Sequence, residues 1–212
     1  MPQARENQIS LVDTHYYHCV SRCVLRSFLC GTDTYSGQSF EHRRGWAEKH
    51  LLFLSSIFSI SLCAYAVMSN HTHVVLHVDK EMTLSWSVDE VLKRYHKLHQ
   101  GSLLTQRYVK GEVLSFGERI SFAETVEVYQ NRLYSISWFM RDLNEYIARE
   151  ANKEDGCTGR FWEGRFKSQA LLGESAILAC MAYVDLNPIC AKMDKTPETT
   201  KHTSIKKTNT CR

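Results

Sequence analysis

Apolar residues along the chain fall into short runs and into longer periodic segments, and the two patterns predict different elements. Short segments rich in aromatic and β-branched residues predict strands. Two such runs, residues 62–68 and 73–78, flank Ser69 and Asn70, a pair suited to a turn, and together they predict a β-hairpin. Further strands are predicted at residues 15–24 and 165–172.

Longer segments place apolar residues three to four positions apart, which predicts amphipathic helices. Pro188 is expected to end the last of them after Asn187, because its ring removes a helical hydrogen bond. Residues 100–125 show no clean period and are expected to form an irregular insertion. The predicted helices are residues 40–60, 84–98, 133–150 and 174–187.

The order strand, helix, hairpin, helix, helix, strand, helix predicts an α+β fold. In such a fold an antiparallel β-sheet carries helices packed mainly on one face. We expect residues 1–193 to form a single domain, with the irregular insertion near residues 100–130. Residues 194–212 are polar, rich in lysine and threonine, and are expected to be a disordered tail.

Composition excludes some classes of protein. The 212 residues are 43% hydrophobic and 23% charged, which is ordinary for a globular domain. No apolar run approaches the roughly 20 residues that span a bilayer, so no membrane partner is expected. Residues 1–10 lack the apolar stretch of a signal peptide, and we expect a cytoplasmic protein. The eight cysteines include no Cys-x-x-Cys pair, which argues against a zinc ribbon and for reduced thiols.

A His-x-His pair in the hairpin is the first candidate for chemistry. Alternate residues of a strand share a face, so His71 and His73 would lie close enough to bind one divalent cation. The alternative is that one histidine is exposed and the other packs against the sheet.

Two further features carry weaker signals. Tyr183 and Asn187 lie one helical turn apart and could address the same phosphate, although a tyrosine near a helix end is more often part of the core. Residues 159–169, GRFWEGRFKSQ, interleave aromatic and basic side chains as a nucleic-acid surface does; a solvated strand edge explains them almost as well. The net charge of +3 permits nucleic-acid binding without requiring it.

Four phrases resemble the REP-associated tyrosine transposases of the HUH single-tyrosine superfamily, in which U is a hydrophobic residue. They are HYYHCVSRCVLRSFL, AYAVMSNHTHVVLHV, GRFWEGRFKSQALL and CMAYVDLNPICAKM. The resemblance spans roughly residues 10–193, interrupted by the poorly matched residues 100–130. It implies a ferredoxin-like core with His71 and His73 as metal ligands. It also implies Tyr183 as the nucleophile and Asn187 as a third ligand. Thr72 departs from the pattern, because it is polar at the U position.

The resemblance further implies a metal-dependent endonuclease and strand transferase, acting on single-stranded or hairpin DNA through a 5′-phosphotyrosine, with Mg²⁺ or Mn²⁺. The expected DNA contacts are Arg22, Arg26, Arg160, Arg165 and Lys167. Two alternatives stay open. One is a catalytically inactive DNA-binding protein of the same fold, and the other is a phosphodiesterase that uses a metal-bound water. A monomer and a homodimer are both compatible with the sequence.

Overall fold

The computed structural model describes residues 9–24, 28–33 and 35–191. These residues form four strands and seven helices. In chain order they are β1 Tyr16–Arg22, α1 His42–Ile57, β2 Ile60–Val67, β3 His71–Val78, α2 Lys80–Leu84, α3 Val88–Tyr95, α4 Leu103–Val109, α5 Phe116–Leu133, α6 Ile136–Glu154, β4 Lys167–Ala170 and α7 Glu174–Cys190.

The four strands form one antiparallel sheet in the order β2-β3-β1-β4. The chain crosses from β1 through α1 to β2, turns back into β3, and crosses again through helices to β4. This is the arrangement of a ferredoxin-like core, so the predicted fold class is confirmed. The β2–β3 hairpin turns through Ser69 and Asn70, and the Met68 amide donates to the His71 carbonyl across it.

The two faces of the sheet bury different amounts of apolar surface. One face carries Tyr17 and Cys19 of β1 and packs against a large core that includes Leu54 of α1 and Phe139 of α6. The opposite face has a small cluster, in which Val184 of α7 packs against the sheet. The other fully or largely buried members of that cluster are Ala64, Ala66, Met68, Val75 and Leu171. Most helices therefore lie on one face, as predicted, and α7 lies on the other.

Residues 100–130 are not irregular, contrary to the prediction, because they contain α4 and most of α5. Helix α5 begins with a capping box, in which the Ser115 hydroxyl accepts from the Glu118 amide and the Glu118 carboxylate accepts from the Ser115 amide. Its buried stripe is narrow and holds only Phe122, Val126, Tyr129 and Leu133. The exposed apolar residues Phe116 and Ile120 precede this stripe and Val128 lies within it, and together they obscure the period.

Two other helix predictions also need correction. The helix predicted over residues 84–98 is shorter, because Leu84 is the last residue of α2 and α3 covers only Val88–Tyr95. Helix α3 begins after the Ser87 cap, whose hydroxyl accepts from the Glu90 amide. Helix α7 continues through Pro188 to Cys190, at the cost of the hydrogen bond that a proline nitrogen cannot donate.

Arg26 and the predicted tail lie outside the described residues. Within the described part of the chain, no helix has both the length and the apolar character needed to cross a membrane.

Candidate functional site

The register of β3 places His71 and His73 on one face of the sheet. His71 lies opposite Arg22 of β1, and His73 lies opposite Val20. The two imidazole rings are nearly perpendicular, at 78°, with their centroids 4.8 Å apart. Thr72 lies between them in sequence and faces the other side, where it is buried. The alternation of strand side chains therefore brings the two predicted ligands together.

Helix α7 brings Tyr183 to the same face. The tyrosine ring lies edge-on to His73, with centroids 5.7 Å apart and an interplanar angle of 88°. The next residue, Val184, is fully buried against the sheet and anchors this part of the helix, whereas Tyr183 is 56% exposed. The tyrosine side chain is therefore accessible to a ligand, and the anchored helix holds it next to the histidines.

Burial keeps both predicted ligands neutral. Desolvation, with smaller contributions from His71 and His18, lowers the pKa of His73 from 6.5 to about 3. Desolvation and the neighbouring Arg22 also lower the pKa of His71. A neutral imidazole has one nitrogen lone pair to give to a cation.

The nitrogen inventory fits a divalent cation. The Nε2 atom of His73 is buried and has no hydrogen-bond partner among the described residues. An orphaned imidazole nitrogen beside a second histidine is a suitable donor pair for such a cation. Across residues 9–24, 28–33 and 35–191, no group of three or more histidine, cysteine or acidic side chains has the arrangement of a metal site. A complete coordination sphere would therefore need ligands of another kind.

Histidines, tyrosine and basic residues share one cleft, with a cavity of about 510 Å³. The cleft lies between β1, the loop that precedes β4, and α7. Its lining residues are Val20, Arg22, His71, His73, Glu163, Gly164, Arg165, Lys167 and Tyr183. Of the predicted DNA contacts, Arg22, Arg165 and Lys167 are therefore beside the histidines.

Two predicted site residues are not part of this lining. Arg160 is exposed outside the cleft. Asn187 lies one turn after Tyr183 in α7 and is half-buried, and its amide nitrogen is buried without a hydrogen-bond partner in the described structure. Its role as a third ligand stays a prediction.

The sequence interpretation missed His18 and Glu163. The Nε2 atom of His18 lies 2.9 Å from Nδ1 of His73. His18 is two residues from Val20 on β1, so the strand period puts it on the cleft face, but only the β1–β3 pairing brings it to His73. Glu163 lies within the aromatic-basic segment, and its amide donates to the Arg22 carbonyl, which fixes the backbone of Glu163 at the cleft that this residue lines.

Comparison with known proteins supports the fold. No family model matches the chain, and no curated protein matches it. A solved structure of a REP-associated tyrosine transposase bound to a REP hairpin is similar, with a TM-score of 0.54 over 100% of this chain and 87% of that chain. The two chains share a fold. Because their sequence identity is only 11%, the similarity is one of architecture alone.

Proposed function

We propose that this chain is a metal-dependent single-stranded DNA endonuclease and strand transferase of the HUH type, with Tyr183 as its nucleophile. The observation that carries the proposal is the shared cleft, in which His71, His73 and Tyr183 lie beside exposed basic side chains. The REP hairpin bound by the transposase of similar fold supports single-stranded or hairpin DNA as the substrate.

His71 and His73 would hold Mn²⁺ or Mg²⁺ through their neutral rings, with Asn187 proposed as a third ligand. When bound, the cation supplies charge neutralisation at the phosphate. Arg22, Arg165 and Lys167 would bind the flanking phosphates and fix the DNA backbone along the cleft. The exposed face of Tyr183 would then meet the scissile phosphate beside the histidines.

The proposed reaction exchanges one ester bond for another. The hydroxyl oxygen of Tyr183 attacks phosphorus and loses its proton. The carboxylate of Glu163, a residue that lines the same cleft, would accept that proton. The bond from phosphorus to the 3′ oxygen breaks, and that oxygen takes up a proton as it leaves. The products are a 5′-phosphotyrosine and a free 3′-hydroxyl. A second 3′-hydroxyl reverses the step and joins strands without a nucleotide cofactor, because the ester is conserved.

Trapping the covalent adduct tests the proposal. The protein is incubated with Mn²⁺ and a hairpin-bearing single strand labelled on the 3′ side of the cleavage site, and the label is followed on a denaturing gel. We expect an adduct with the wild type, none with Tyr183→Phe, and unchanged adduct with the control Tyr134→Phe, whose hydroxyl contacts Asn131 at the end of α5. Phenylalanine keeps the ring, so Tyr183→Phe should still bind DNA. Adduct formation by Tyr183→Phe would refute the assignment.

The second candidate is a catalytically inactive DNA-binding protein of this fold. It is favoured by one observation, the lack of a third histidine, cysteine or acidic ligand within the described residues. DNA binding without cleavage in the same assay would support it. Cleavage without an adduct would instead support a phosphodiesterase that uses a metal-bound water.

A further inference from the structure

Both histidines of the pair form an outer hydrogen bond through Nδ1. Nδ1 of His71 lies 2.7 Å from Oδ1 of Asn70, and Nδ1 of His73 lies 2.9 Å from Nε2 of His18. An amide oxygen only accepts, so His71 carries its proton on Nδ1 and leaves the lone pair on Nε2. The position of the proton on His73 depends in the same way on whether His18 accepts or donates in their hydrogen bond.

The His18–His73 contact is an in-plane hydrogen bond. The two rings are almost parallel, at 10°, and their centroids are 5.1 Å apart. That separation is close to what two imidazoles need when they are joined edge to edge by a 2.9 Å bond between ring nitrogens. Nitrogen lone pairs and N–H bonds lie in the ring plane, so the bond is well directed. It therefore holds the orientation of the His73 ring.

One proton lies between the two nitrogens, and its position decides what His73 can bind. If His18 donates, a neutral His73 carries its own proton on Nε2, and that atom cannot bind a cation. If His73 donates from Nδ1, its Nε2 keeps a free lone pair. The Nε2 atom is the one that is buried without a partner among the described residues. Metal-binding histidines commonly donate their other ring N–H to an acceptor in this way.

We propose that His18 is a positioning residue that accepts the Nδ1 proton of His73 and so presents Nε2 of His73 to the divalent cation. This inference rests on the proposed function, because it assigns His18 a task at the same metal site. His18 acts through His73 and is not itself a ligand, since its Nε2 is committed to the hydrogen bond. Asn70 performs the matching task for His71.

The test compares Mn²⁺ affinity, measured by isothermal titration calorimetry, between two substitutions of His18. His18→Leu removes the acceptor, and we expect a loss of about 10- to 100-fold, the range seen when such outer partners are removed. His18→Gln keeps an acceptor oxygen at similar reach and should retain most of the affinity. The control is His77→Leu, because His77 lies on the same face of β3 but outside the cleft lining.

A second measurement reads the proton directly. Nitrogen-15 NMR of the metal-free wild type should show His73 protonated on Nδ1, and His18→Leu should shift the population toward Nε2. A wild-type ring protonated on Nε2, or His18→Leu binding Mn²⁺ as well as the wild type, would overturn the role of His18. A wild type that binds no Mn²⁺ would instead overturn the metal site itself, and the NMR result would still decide separately how His18 orients His73. If His18→Leu fails to fold, the wild-type spectrum and His18→Gln carry the test.

Discussion

The basic side chains of the cleft make a quantitative prediction about DNA binding. Arg22, Arg165 and Lys167 line the cleft and are exposed, so each is free to contact one phosphate. Every phosphate that such a side chain neutralises releases condensed counterions from the DNA. The logarithm of the affinity for single-stranded DNA should therefore fall linearly with the logarithm of the salt concentration, with a slope proportional to the number of contacts.

The size of the effect follows from counting these contacts. A slope of about −0.7 per contact for single strands gives about −2.1 for the three side chains in a plot of log affinity against log salt. Replacing one of them with alanine should make the slope shallower by about 0.7. Between about 50 and 200 mM salt, one contact then accounts for about a 2.6-fold change in affinity.

Fluorescence anisotropy with a labelled single-stranded oligonucleotide over that salt range measures the slope. The matched control is Arg149→Ala, because Arg149 is an exposed arginine of α6 that pairs with Glu145 and lines a different cavity. Its slope should equal that of the wild type. If Arg22→Ala, Arg165→Ala and Lys167→Ala all keep the wild-type slope, or if Arg149→Ala changes it as much as they do, the cleft is not where DNA binds.

Three further outcomes are expected. Burial lowers the pKa of His73 in the folded protein to about 3, against 6.5 in the unfolded chain. Below pH 6.5 the unfolded chain therefore binds a proton that the folded protein does not bind, and the free energy of unfolding should fall from its full value above pH 6.5 as the pH drops toward 3. Urea unfolding as a function of pH should therefore show a steeper acid loss for the wild type than for His73→Gln. Calorimetry should give weaker Mn²⁺ binding for Asn187→Ala, and unchanged binding would assign Asn187 to packing alone. Arg43 is 2% exposed and bonds to the partly exposed carboxylates of Glu154 and Asp155, so Arg43→Met should reduce the unfolding free energy by about 2 kcal/mol, which an unchanged urea midpoint would contradict.

Much of the fold was predictable because its signals are local. The hairpin is marked by two apolar runs around Ser69 and Asn70, and the strand period alone places His71 and His73 on one face. The same reasoning turns Thr72 away from the pair, as the structure confirms. The resemblance supplied the topology, which periodicity does not contain.

The rest depends on contacts between distant segments. His18 belongs to the site only because β1 pairs with β3, and no pattern within β1 distinguishes it from a surface histidine. Helix α5 was missed because its exposed face is also partly apolar. Pro188 was expected to end α7, but helix packing on the sheet tolerates the missing hydrogen bond.

The small apolar cluster under α7 gives two residues without reactive atoms a part in the proposed chemistry. Ala64 and Ala66 are fully buried there, and Ala66 pairs with His73 in the register of β2 and β3. Their methyl groups set the distance between α7 and the sheet, and with it the distance from the proposed nucleophile on α7 to the proposed metal ligands on β3. Bulkier side chains would raise the helix, and a displacement of about 1 Å is enough to cost about 100-fold in rate. In such an enzyme the small size of these two alanines would keep the tyrosine hydroxyl within reacting distance of a phosphate at the histidines.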